Sequence, residues 1–389
     1  MRIAVNTRLL LPGKLDGIGW FTAETMRRIV AAHPEHEFFF LFDRKPDPQF
    51  LYGPNVHPVV LCPQARHPVL WYLFFQCSVR RALRKYAIDL FLSPDGYTTL
   101  DTPVPTLTVI HDINFEHSPD NLRPSHQRYM TCFSPQFARY STRIATVSEF
   151  SKHDIATTYH LPPEKIDVVY DGAHADYRPL SSEEQARTRE HYTQGHPYFL
   201  FVSTIIKRKN LATLLLAFDR FKESDTQGMR LVVVGHRVWW QDELKAAYDG
   251  MRHQDDVLFV GRAESGELAR LMGSATALAY PSLFEGFGIP ILEAFHSEIP
   301  VVTSNCTSMP EVAGDAALLV EPTDAGALAA ALTRLATDDA LRQQLIARAR
   351  QQRLHFSWDI TATLLWQSIL KTANPNNPYP HAPATAPLS

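Results

Sequence analysis

The sequence predicts an α/β protein built from two doubly wound domains, each with a parallel sheet between layers of helices. Short apolar runs alternate with helical patterns along most of the chain, which is typical of parallel strands joined by helices. Two such series follow one another. A chain of 389 residues also exceeds what one hydrophobic core usually holds, so two domains are expected.

In the first series, apolar runs predict the strands. The segment between the first two strands, Ile18–Ala32, has the apolar spacing of a helix. The predicted strands are Arg2–Asn6, Glu37–Phe42, Leu90–Ser93, Thr106–Ile110, Ile144–Val147 and Ile166–Val169.

The second series repeats this alternation. Its predicted strands are Tyr198–Val202, Arg230–Val234, Val257–Val260, Ala277–Tyr280, Ile299–Thr303 and Ala317–Val320, and its predicted helices include Leu211–Phe221, Ser265–Met272 and Ala325–Ala336.

The domain boundary is predicted in the polar stretch that follows Tyr177. Residues 1–178 then form an N-terminal domain and residues 179–357 a C-terminal domain. A last helix is expected over residues 358–372, and packing of this helix back on the N-terminal domain is left open. Residues 373–389 are rich in Pro, Ala and Asn, a composition typical of a disordered tail.

Composition excludes several classes of function. The formal net charge of −3 argues against nucleic acid as a partner, because binding phosphates needs a basic surface. The chain opens directly on a strand, which leaves no room for a signal peptide, and it lacks the ~18 consecutive apolar residues of a membrane span. Four scattered cysteines without a C-x-x-C pattern indicate reduced thiols rather than a metal site. We therefore expect a cytoplasmic protein without a bound metal.

The most informative segment is Tyr280–Glu293. A strand ends in a glycine-containing turn and a helix begins near Ile289, so unpaired N–H groups and a partial positive charge would face an anion. Gly286 and Gly288 allow the backbone to approach a ligand closely. Two carboxylates beside such a site, Glu285 and Glu293, suit hydrogen bonding to vicinal sugar hydroxyls better than general-base catalysis.

A basic turn follows the first strand of the second series. Arg208 and Lys209 lie between this strand and the next helix, where they would stabilise the charge of a departing diphosphate. No D-x-D motif occurs in the sequence, which fits catalysis without a metal ion.

Two further sites are predicted in the N-terminal domain. His111, followed by Asp112, ends a strand and can hydrogen-bond a sugar hydroxyl. Gly17 and Gly19 lie in a turn at the start of a helix, and this turn can either meet a ligand or simply begin the helix.

The spacing of Glu285 and Glu293 resembles the E-x7-E signature of the family 4 glycosyltransferases. Residues Ile299–Val302 and Met309–Gly314 agree with the family pattern as well, and so do Arg208 and Lys209. The resemblance extends over most of the chain and is densest from Tyr198 to Val320. One departure occurs at Ser203-Thr204, where the family usually has Gly-Arg or Gly-Thr.

The resemblance implies a GT-B fold, that is, two Rossmann-like domains facing a central cleft, with the acceptor on the N-terminal side and the nucleotide sugar on the C-terminal domain. It implies that the first Glu faces the donor sugar, that the second holds the ribose, and that the backbone between them meets the diphosphate. The implied catalytic residues are His111, Glu285, Arg208 and Lys209, and the implied donor-binding residues are Glu293, Gly286, Phe287, Gly288, Ile289 and Gly17.

The function expected from the resemblance is retaining, metal-independent transfer of a hexose from a nucleotide-diphosphate sugar, with no other cofactor. GDP-mannose is favoured over UDP-sugars, which stay open. The expected acceptor is a saccharide or a polyprenyl-linked saccharide of polysaccharide biosynthesis.

Residues 67–87 combine aromatic and aliphatic side chains with the cations Arg80, Arg81, Arg84 and Lys85. Such a segment is typical either of a helix lying on anionic lipid at the inner face of the plasma membrane, or of a core helix with a solvated basic end.

Four other functions share some of these sequence features. A nicotinamide-dependent oxidoreductase would need a third glycine where Thr22 stands, and a shorter loop before Gly17. A nucleotide-sugar epimerase or a phosphorylase shares the GT-B fold and is not excluded. A non-catalytic GT-B partner subunit is favoured only by the Ser203-Thr204 departure.

Overall fold

The computed structural model describes residues 1–118, 123–236, 240, 242–374 and 376. The chain forms two compact units. The first consists of Met1–Asp171 with the chain from Trp358 onward, and the second of Gly172–Ser357. Most of the predicted tail, 373–389, lies outside the described residues.

The first unit contains a seven-stranded parallel sheet with the order β3-β2-β1-β4-β5-β6-β7. The chain starts in the middle of the sheet, runs to one edge and then returns to extend the other side, as in a doubly wound fold. The strands are β1 (Arg2–Asn6), β2 (Glu37–Phe42), β3 (Val56–Val60), β4 (Leu90–Ser93), β5 (Thr106–Val109), β6 (Arg143–Thr146) and β7 (Ile166–Val168).

Strand β3 was missed by the sequence analysis. It contains His57 and Pro58, which weaken its apolar alternation, and a proline cannot donate a hydrogen bond within a sheet. Because β3 is an edge strand that pairs only with β2, this missing donor is tolerated.

The helices of the first unit connect these strands, and the last one returns from the end of the chain. They are α1 (Gly17–Ala32), α2 (Pro68–Leu73), α3 (Arg80–Lys85), α4 (Asn114–His117), α5 (Pro124–Tyr140), α6 (Glu149–Tyr159) and α15 (Trp358–Ala373). Helix α15 packs against α1: Arg28 forms an ion pair with Asp359 at 2.5 Å, and Phe21 makes an edge contact with Trp358.

The second unit contains a six-stranded parallel sheet with the order β10-β9-β8-β11-β12-β13. This is again a doubly wound order, so the predicted fold class is confirmed. The strands are β8 (Tyr198–Val202), β9 (Arg230–Val234), β10 (Val257–Gly261), β11 (Ala277–Tyr280), β12 (Val301–Ser304) and β13 (Leu318–Val320).

Helices cover both faces of the second sheet, and the predicted ones begin where expected to within a residue. They are α7 (Ser182–Thr193), α8 (Leu211–Lys222), α9 (Asp242–Asp249), α10 (Ser265–Ser274), α11 (Ile289–His296), α12 (Met309–Ala313), α13 (Ala325–Thr337) and α14 (Asp339–Gln352).

The units divide after Asp171, whereas the sequence placed the boundary after residue 178. Residues 172–178 have no regular structure and belong to the second unit. Tyr177 is buried there and hydrogen-bonds Glu293. A polar linker composition therefore placed the boundary a few residues too late.

Residues 67–87 are partly buried in the core and partly exposed, so the core interpretation is confirmed for the buried part and contact with lipid stays a prediction. It forms α2, a π-helical turn (Phe74–Val79) and α3 in succession. Trp71, Phe74 and Phe75 are buried in the core of the first unit. The opposite side of α2 is apolar but exposed: Val69 is 64%, Tyr72 46% and Leu73 40% accessible.

Candidate functional site

Two loops of the second unit meet where its strand order reverses. One follows β8 and carries Arg208 and Lys209, and the other follows β11 and leads to Glu285. Strands β8 and β11 are neighbours in the sheet, although Tyr198 and Ala277, where they begin, are far apart in the sequence.

 In the parallel register of these two strands, Phe199 pairs with Ala277. Loops after two such strands lie at the point where doubly wound sheets bind ligands.

The basic turn after β8 is held in place by an asparagine. Lys207–Lys209 form a single 3-10 turn, and Asn210 then adopts a left-handed conformation with φ +59°. The side-chain amide of Asn210 donates to the carbonyls of Pro281 at 2.9 Å and Pro322 at 2.7 Å. The first bond joins the basic turn to the loop after β11, and the second joins it to the loop after β13.

Glu285 lies at the centre of a buried polar cluster, the Glu285 cluster, formed with Arg208, Lys209 and Tyr280. Its Oε1 accepts from Lys209 Nζ at 2.5 Å and from the Tyr280 hydroxyl at 2.8 Å, and its Oε2 accepts from Arg208 Nη1 at 3.0 Å. Arg208 Nη1 also donates to the carbonyl of Phe284 at 2.8 Å. The cluster brings three of the predicted catalytic residues into direct contact.

The charges in this cluster set the ionisation of Glu285. Burial alone would raise its pKa, but the positive charges of Lys209 and Arg208 outweigh burial and lower the pKa to about 2. The carboxylate is therefore ionised at every physiological pH. A group with so low a pKa is a poor general base, which agrees with the role expected from the sequence.

The turn from Gly286 to Ile289 comes directly after Glu285 in the sequence. Gly288 has φ +111°, a conformation that favours glycine, and it occupies the N-cap position of α11. Ser308 fixes the turn from outside, because its hydroxyl lies 2.9 Å from the carbonyl of Glu285 and 2.8 Å from that of Phe287. The first turn of α11 thus begins immediately beside the Glu285 cluster.

Glu293 lies one turn inside α11, and its hydrogen-bond partner is Tyr177 rather than a member of the Glu285 cluster. It is partly buried, and its carboxylate accepts a hydrogen bond from the hydroxyl of Tyr177. Burial raises the pKa of Glu293 to about 7, although the bond from Tyr177 opposes the rise. Glu293 and Glu285 therefore differ strongly in pKa although they belong to one motif.

Tyr177 was not identified from the sequence. It lies in the segment that composition marked as a linker, and it is only 6% exposed. Burial is also the main reason that its pKa is raised, followed by the charge of Glu293. An aromatic residue inside an otherwise polar linker was the one available signal.

Gly235 packs closely against the backbone at Ser203-Thr204, the place where the sequence departs from the family pattern. Gly235 follows β9 with φ +149°, and a Cβ at this position would lie 1.7 Å from the carbonyl oxygen of Ser203. The loop backbone therefore packs on a position that has no side chain. Ser203 itself is partly exposed and Thr204 is exposed, so neither side chain disturbs this contact.

In the first unit, His111 is partly buried at the end of β5. Its Nε2 lies 3.0 Å from the carbonyl of Pro94, and its ring makes an edge contact with Phe21 at 5.0 Å. A carbonyl can only accept, so Nε2 carries the proton and Nδ1 is the acceptor of the neutral ring. Burial lowers the pKa of His111, although the Pro94 bond opposes the shift. Asp112 instead accepts from the backbone N–H of Asn114 at 3.0 Å.

Gly17 is the first residue of α1 and is exposed. The preceding Asp16 caps this helix, because its carboxylate accepts from the N–H of Gly19 at 2.9 Å. The structure thus shows the helix-entry role of this turn. Its predicted contact with a ligand stays a prediction.

Within the part of the chain that the structure describes, no group of three or more His, Cys, Asp or Glu side chains is arranged to hold a metal ion. Among the helices described there, none combines the length and the apolar character that crossing a membrane requires.

Comparisons with known proteins match both halves of the chain. The profile of the family described as Glycosyl transferases group 1 matches residues 182–352, and that of Glycosyltransferase Family 4 matches residues 15–177. O-antigen chain mannosyltransferase B of Escherichia coli is 31% identical over 365 residues, 90% of this chain and 94% of the relative. O-antigen chain mannosyltransferase RfbU of Salmonella typhimurium is 30% identical over 258 residues, 66% of this chain and 68% of the relative.

Among solved structures, WaaG, a glycosyltransferase involved in lipopolysaccharide biosynthesis, superimposes with a TM-score of 0.75. The match covers 95% of this chain and 99% of WaaG at 16% sequence identity, so it shows a common fold. Because family profiles match both halves and one relative is similar over nearly the whole length, the chain belongs to the family 4 (group 1) glycosyltransferases and is a glycosyltransferase of the GT-B type.

Proposed function

We propose that this glycosyltransferase transfers mannose from a nucleoside diphosphate sugar, GDP-mannose rather than a UDP-sugar, to a saccharide or polyprenyl-linked saccharide acceptor with retention of configuration. The Glu285 cluster beside the start of α11 carries the proposal, because it concentrates two cations and a helix N-terminus at one point. The mannosyltransferase names of two relatives support the choice of sugar.

The diphosphate of the donor would bind between the cations and the Gly286–Ile289 backbone. In the reaction the bond from the sugar C1 to the diphosphate oxygen breaks, and the acceptor oxygen forms the new bond to C1. The diphosphate keeps the electron pair and takes up the acceptor proton. Arg208 and Lys209 stabilise the negative charge that develops on the departing diphosphate, a role that a metal ion would otherwise have. We therefore propose metal-independent catalysis.

Glu285 would hold these cations before the donor binds. An ionised carboxylate has about four acceptor sites, and Lys209, Tyr280 and Arg208 occupy three of them. When the diphosphate draws the two cations toward itself, those sites become open to hydroxyls of the hexose. Glu285 then exchanges protein donors for sugar donors at the same position.

Glu293 would accept hydrogen bonds from the ribose hydroxyls of the nucleotide, with Tyr177 orienting its carboxylate. In the first unit, Nδ1 of His111 would accept a hydrogen bond from a hydroxyl of the sugar, because Nε2 is already committed to Pro94. The Gly17 turn would meet the donor phosphate or the acceptor.

The test is calorimetric titration of the full chain with GDP, UDP, ADP and dTDP, with and without EDTA, followed by turnover of GDP-mannose. We expect GDP to bind most tightly in both conditions and the mannosyl product to keep the α configuration by NMR. Loss of GDP binding on adding EDTA would contradict metal independence. Binding without turnover by any donor would favour the non-catalytic partner subunit.

The basic turn supplies a matched control for this test. Arg208 and Lys209 contact Glu285, whereas the neighbouring Lys207 is exposed and pairs with Glu243 at 3.7 Å. Removing a group that stabilises transition-state charge costs about 100-fold or more in kcat, so Arg208→Ala should lose that much. Lys207→Ala should stay near the native rate, and equal losses in both variants would contradict the assignment.

We also propose that the first unit touches anionic lipid at the cytoplasmic face of a membrane. The exposed side chains Val69, Tyr72 and Leu73 form one face of α2, and exposed cations lie on α3 at Arg84 and Lys85. Leu73→Glu should reduce sedimentation with phosphatidylglycerol vesicles. Leu354→Glu, at an exposed leucine of the second unit, is the control, and an equal reduction there would contradict the proposal.

A further inference from the structure

The loop that follows β12, residues 305–308 and here named the β12 loop, lies along the loop that carries Glu285. Buried serines fix both ends of this contact. The hydroxyl of Ser304, the last residue of β12, donates to the carbonyl of Ser282 at 2.6 Å, and the hydroxyl of Ser308 lies 2.9 Å from the carbonyl of Glu285. Both serines are fully buried, so the chain between them must turn within three residues.

Thr307 makes this turn in a strained conformation. Its φ is +54°, in the left-handed region, where a residue branched at Cβ is an outlier. Strain of this kind persists only where the surrounding structure fixes the residue, and it is concentrated at functional sites. A glycine would adopt the same backbone without strain. The turn itself therefore gives no reason for a threonine, and the side chain must supply a contact that a glycine lacks.

That contact is with the main chain of Glu285. The hydroxyl oxygen of Thr307 accepts a hydrogen bond from the N–H of Glu285 at 3.3 Å. Together with the hydroxyl of Ser308, which faces the carbonyl of the same residue, the β12 loop restrains both polar groups of the Glu285 main chain. Neither contact involves the carboxylate, so both can persist while the carboxylate changes partners.

These restraints matter because the carboxylate loses others when the donor binds. In the proposed reaction the diphosphate draws Arg208 and Lys209 toward itself, and the hydroxyl of Tyr280 is left to donate to Oε1. One neutral donor does not fix the orientation of a carboxylate. The position of the carboxylate then depends on the main chain that carries it, and a misplacement of about 1 Å in an active site can cost about 100-fold in rate.

We propose that Thr307 is a positioning residue of the transfer reaction. Its hydroxyl fixes the main chain of Glu285, so that the carboxylate stays directed at the hexose of the donor after the cations have moved to the diphosphate. This inference rests on the proposed function and adds a residue to it. Because Thr307 acts on the hexose through Glu285, loss of its hydroxyl should leave the affinity for GDP unchanged.

Thr307→Val in the full chain tests the hydroxyl, because valine keeps the branched shape and lacks the acceptor. We expect kcat for transfer from GDP-mannose to fall about ten-fold, since the N–H of Glu285 loses its partner. Calorimetry should show native affinity for GDP and a smaller gain in affinity from GDP to GDP-mannose. Thr307→Ser keeps the hydroxyl and should retain the native kcat. An equal loss in the serine variant would overturn the role of the hydroxyl.

Thr333→Val is the matched control. Thr333 is a partly buried threonine like Thr307, but it lies on α13, where its hydroxyl donates to the carbonyl of Ala329 at 3.0 Å. This control should keep the native kcat, and an equal loss in both valine variants would overturn the inference. Weaker GDP binding by Thr307→Val would also overturn it, because the loop would then merely maintain the donor site as a whole. If Thr307→Val does not fold, Thr307→Ala carries the same comparison.

A double variant tests the route through Glu285. In the Glu285→Gln background, Thr307→Val should cause no further fall in kcat, whereas two losses that multiply would overturn the inference. The native chain separates this result from the proposed function. If the native chain neither binds nor turns over a nucleotide sugar, the proposed function fails. Native turnover together with an unchanged kcat in Thr307→Val overturns only the role of Thr307.

Discussion

The hydroxyl of Tyr177 donates a hydrogen bond to the carboxylate of Glu293, and both residues lie in the second unit. This contact joins the first residues of the unit to the helix that carries the family motif. Glu293 is nevertheless costly to ionise, because burial raises its pKa to about 7. The residue proposed to hold the ribose therefore titrates within the physiological range.

Nucleotide binding should depend on this titration. Ribose hydroxyls donate to the ionised carboxylate, so GDP affinity should fall by about ten-fold from pH 8 to pH 6 as a group with a pKa of about 7 is protonated. Calorimetry at several pH values measures the effect. Glu293→Gln provides the baseline for titration of the nucleotide itself, and an identical pH dependence in that variant would contradict the role of Glu293.

Tyr177→Phe tests the orienting contact. The bond from Tyr177 favours the ionised carboxylate, so its loss should raise the pKa of Glu293 further and move the pH dependence of GDP binding to higher pH. The same variant should bind GDP nearly as well as the native chain at pH 9, where Glu293 is ionised in both. A uniform loss at all pH values would indicate a merely structural role.

Ionisation of Glu293 should also affect the stability of the protein, but in the opposite direction: it strengthens GDP binding and weakens the folded state. Folding raises the pKa of Glu293 from the ordinary 4.5 to about 7, so the folded state binds the proton more tightly between these values. The contribution of Glu293 to the free energy of unfolding is therefore largest below pH 4.5 and is lost as the pH rises through 7. Glu293→Gln removes this loss, so the variant should have a higher Tm than the native chain at pH 8 and an equal Tm near pH 4.5. Thermal unfolding at both pH values checks the sign.

Removing the Glu285 carboxylate from the Glu285 cluster should lower the stability of the protein. Glu285→Ala leaves the buried cations Arg208 and Lys209 without their shared partner, and such a loss costs about 3–5 kcal/mol in the free energy of unfolding. Urea unfolding measures the change. Adding Lys209→Met to Glu285→Ala should recover part of the loss, and strictly additive effects would show that the two residues are not coupled.

The backbone contact at Gly235 predicts a large effect from one methyl group. In Gly235→Ala the new Cβ would lie 1.7 Å from the carbonyl oxygen of Ser203, so the loop leading to Arg208 must shift. We expect a loss of about 3 kcal/mol or more in the free energy of unfolding. Gly261→Ala is the control, since its φ is also positive but no atom lies within 4 Å of the added Cβ. It should lose only about 1 kcal/mol.

His111 should act on turnover rather than on nucleotide affinity. His111→Ala removes the Nδ1 acceptor, so kcat should fall while the affinity for GDP stays unchanged. Because burial lowers the pKa of His111, the ring is neutral at pH 7, and acid loss of turnover should begin below the ordinary histidine pKa. Stopped assays of transfer from pH 5 to 8 measure this. A loss of GDP affinity in the variant would contradict the assignment.

Much of the fold was readable from the sequence. Apolar runs such as Tyr198–Val202, which is buried except at its last residue, are parallel strands, and their hydrophobicity identifies them without knowledge of any partner. Strand β3 was missed because it combines a histidine and a proline at an exposed edge, where burial does not select for apolar residues. Likewise, the aromatic residues of 67–87 gave no indication of which ones face the core.

By itself, the sequence determined the fold class and the motif residues. Apolar periodicity, turn residues and the spacing of Glu285 and Glu293 are local features, so each can be recognised from residues a few positions apart. Only the tertiary structure decided that Lys209 and Glu285 share a hydrogen bond, that Tyr177 reaches Glu293, and that two glutamates of one motif have pKa values of about 2 and about 7. These properties depend on strand order, which brings distant loops together, and on the cations and burial that each carboxylate meets there.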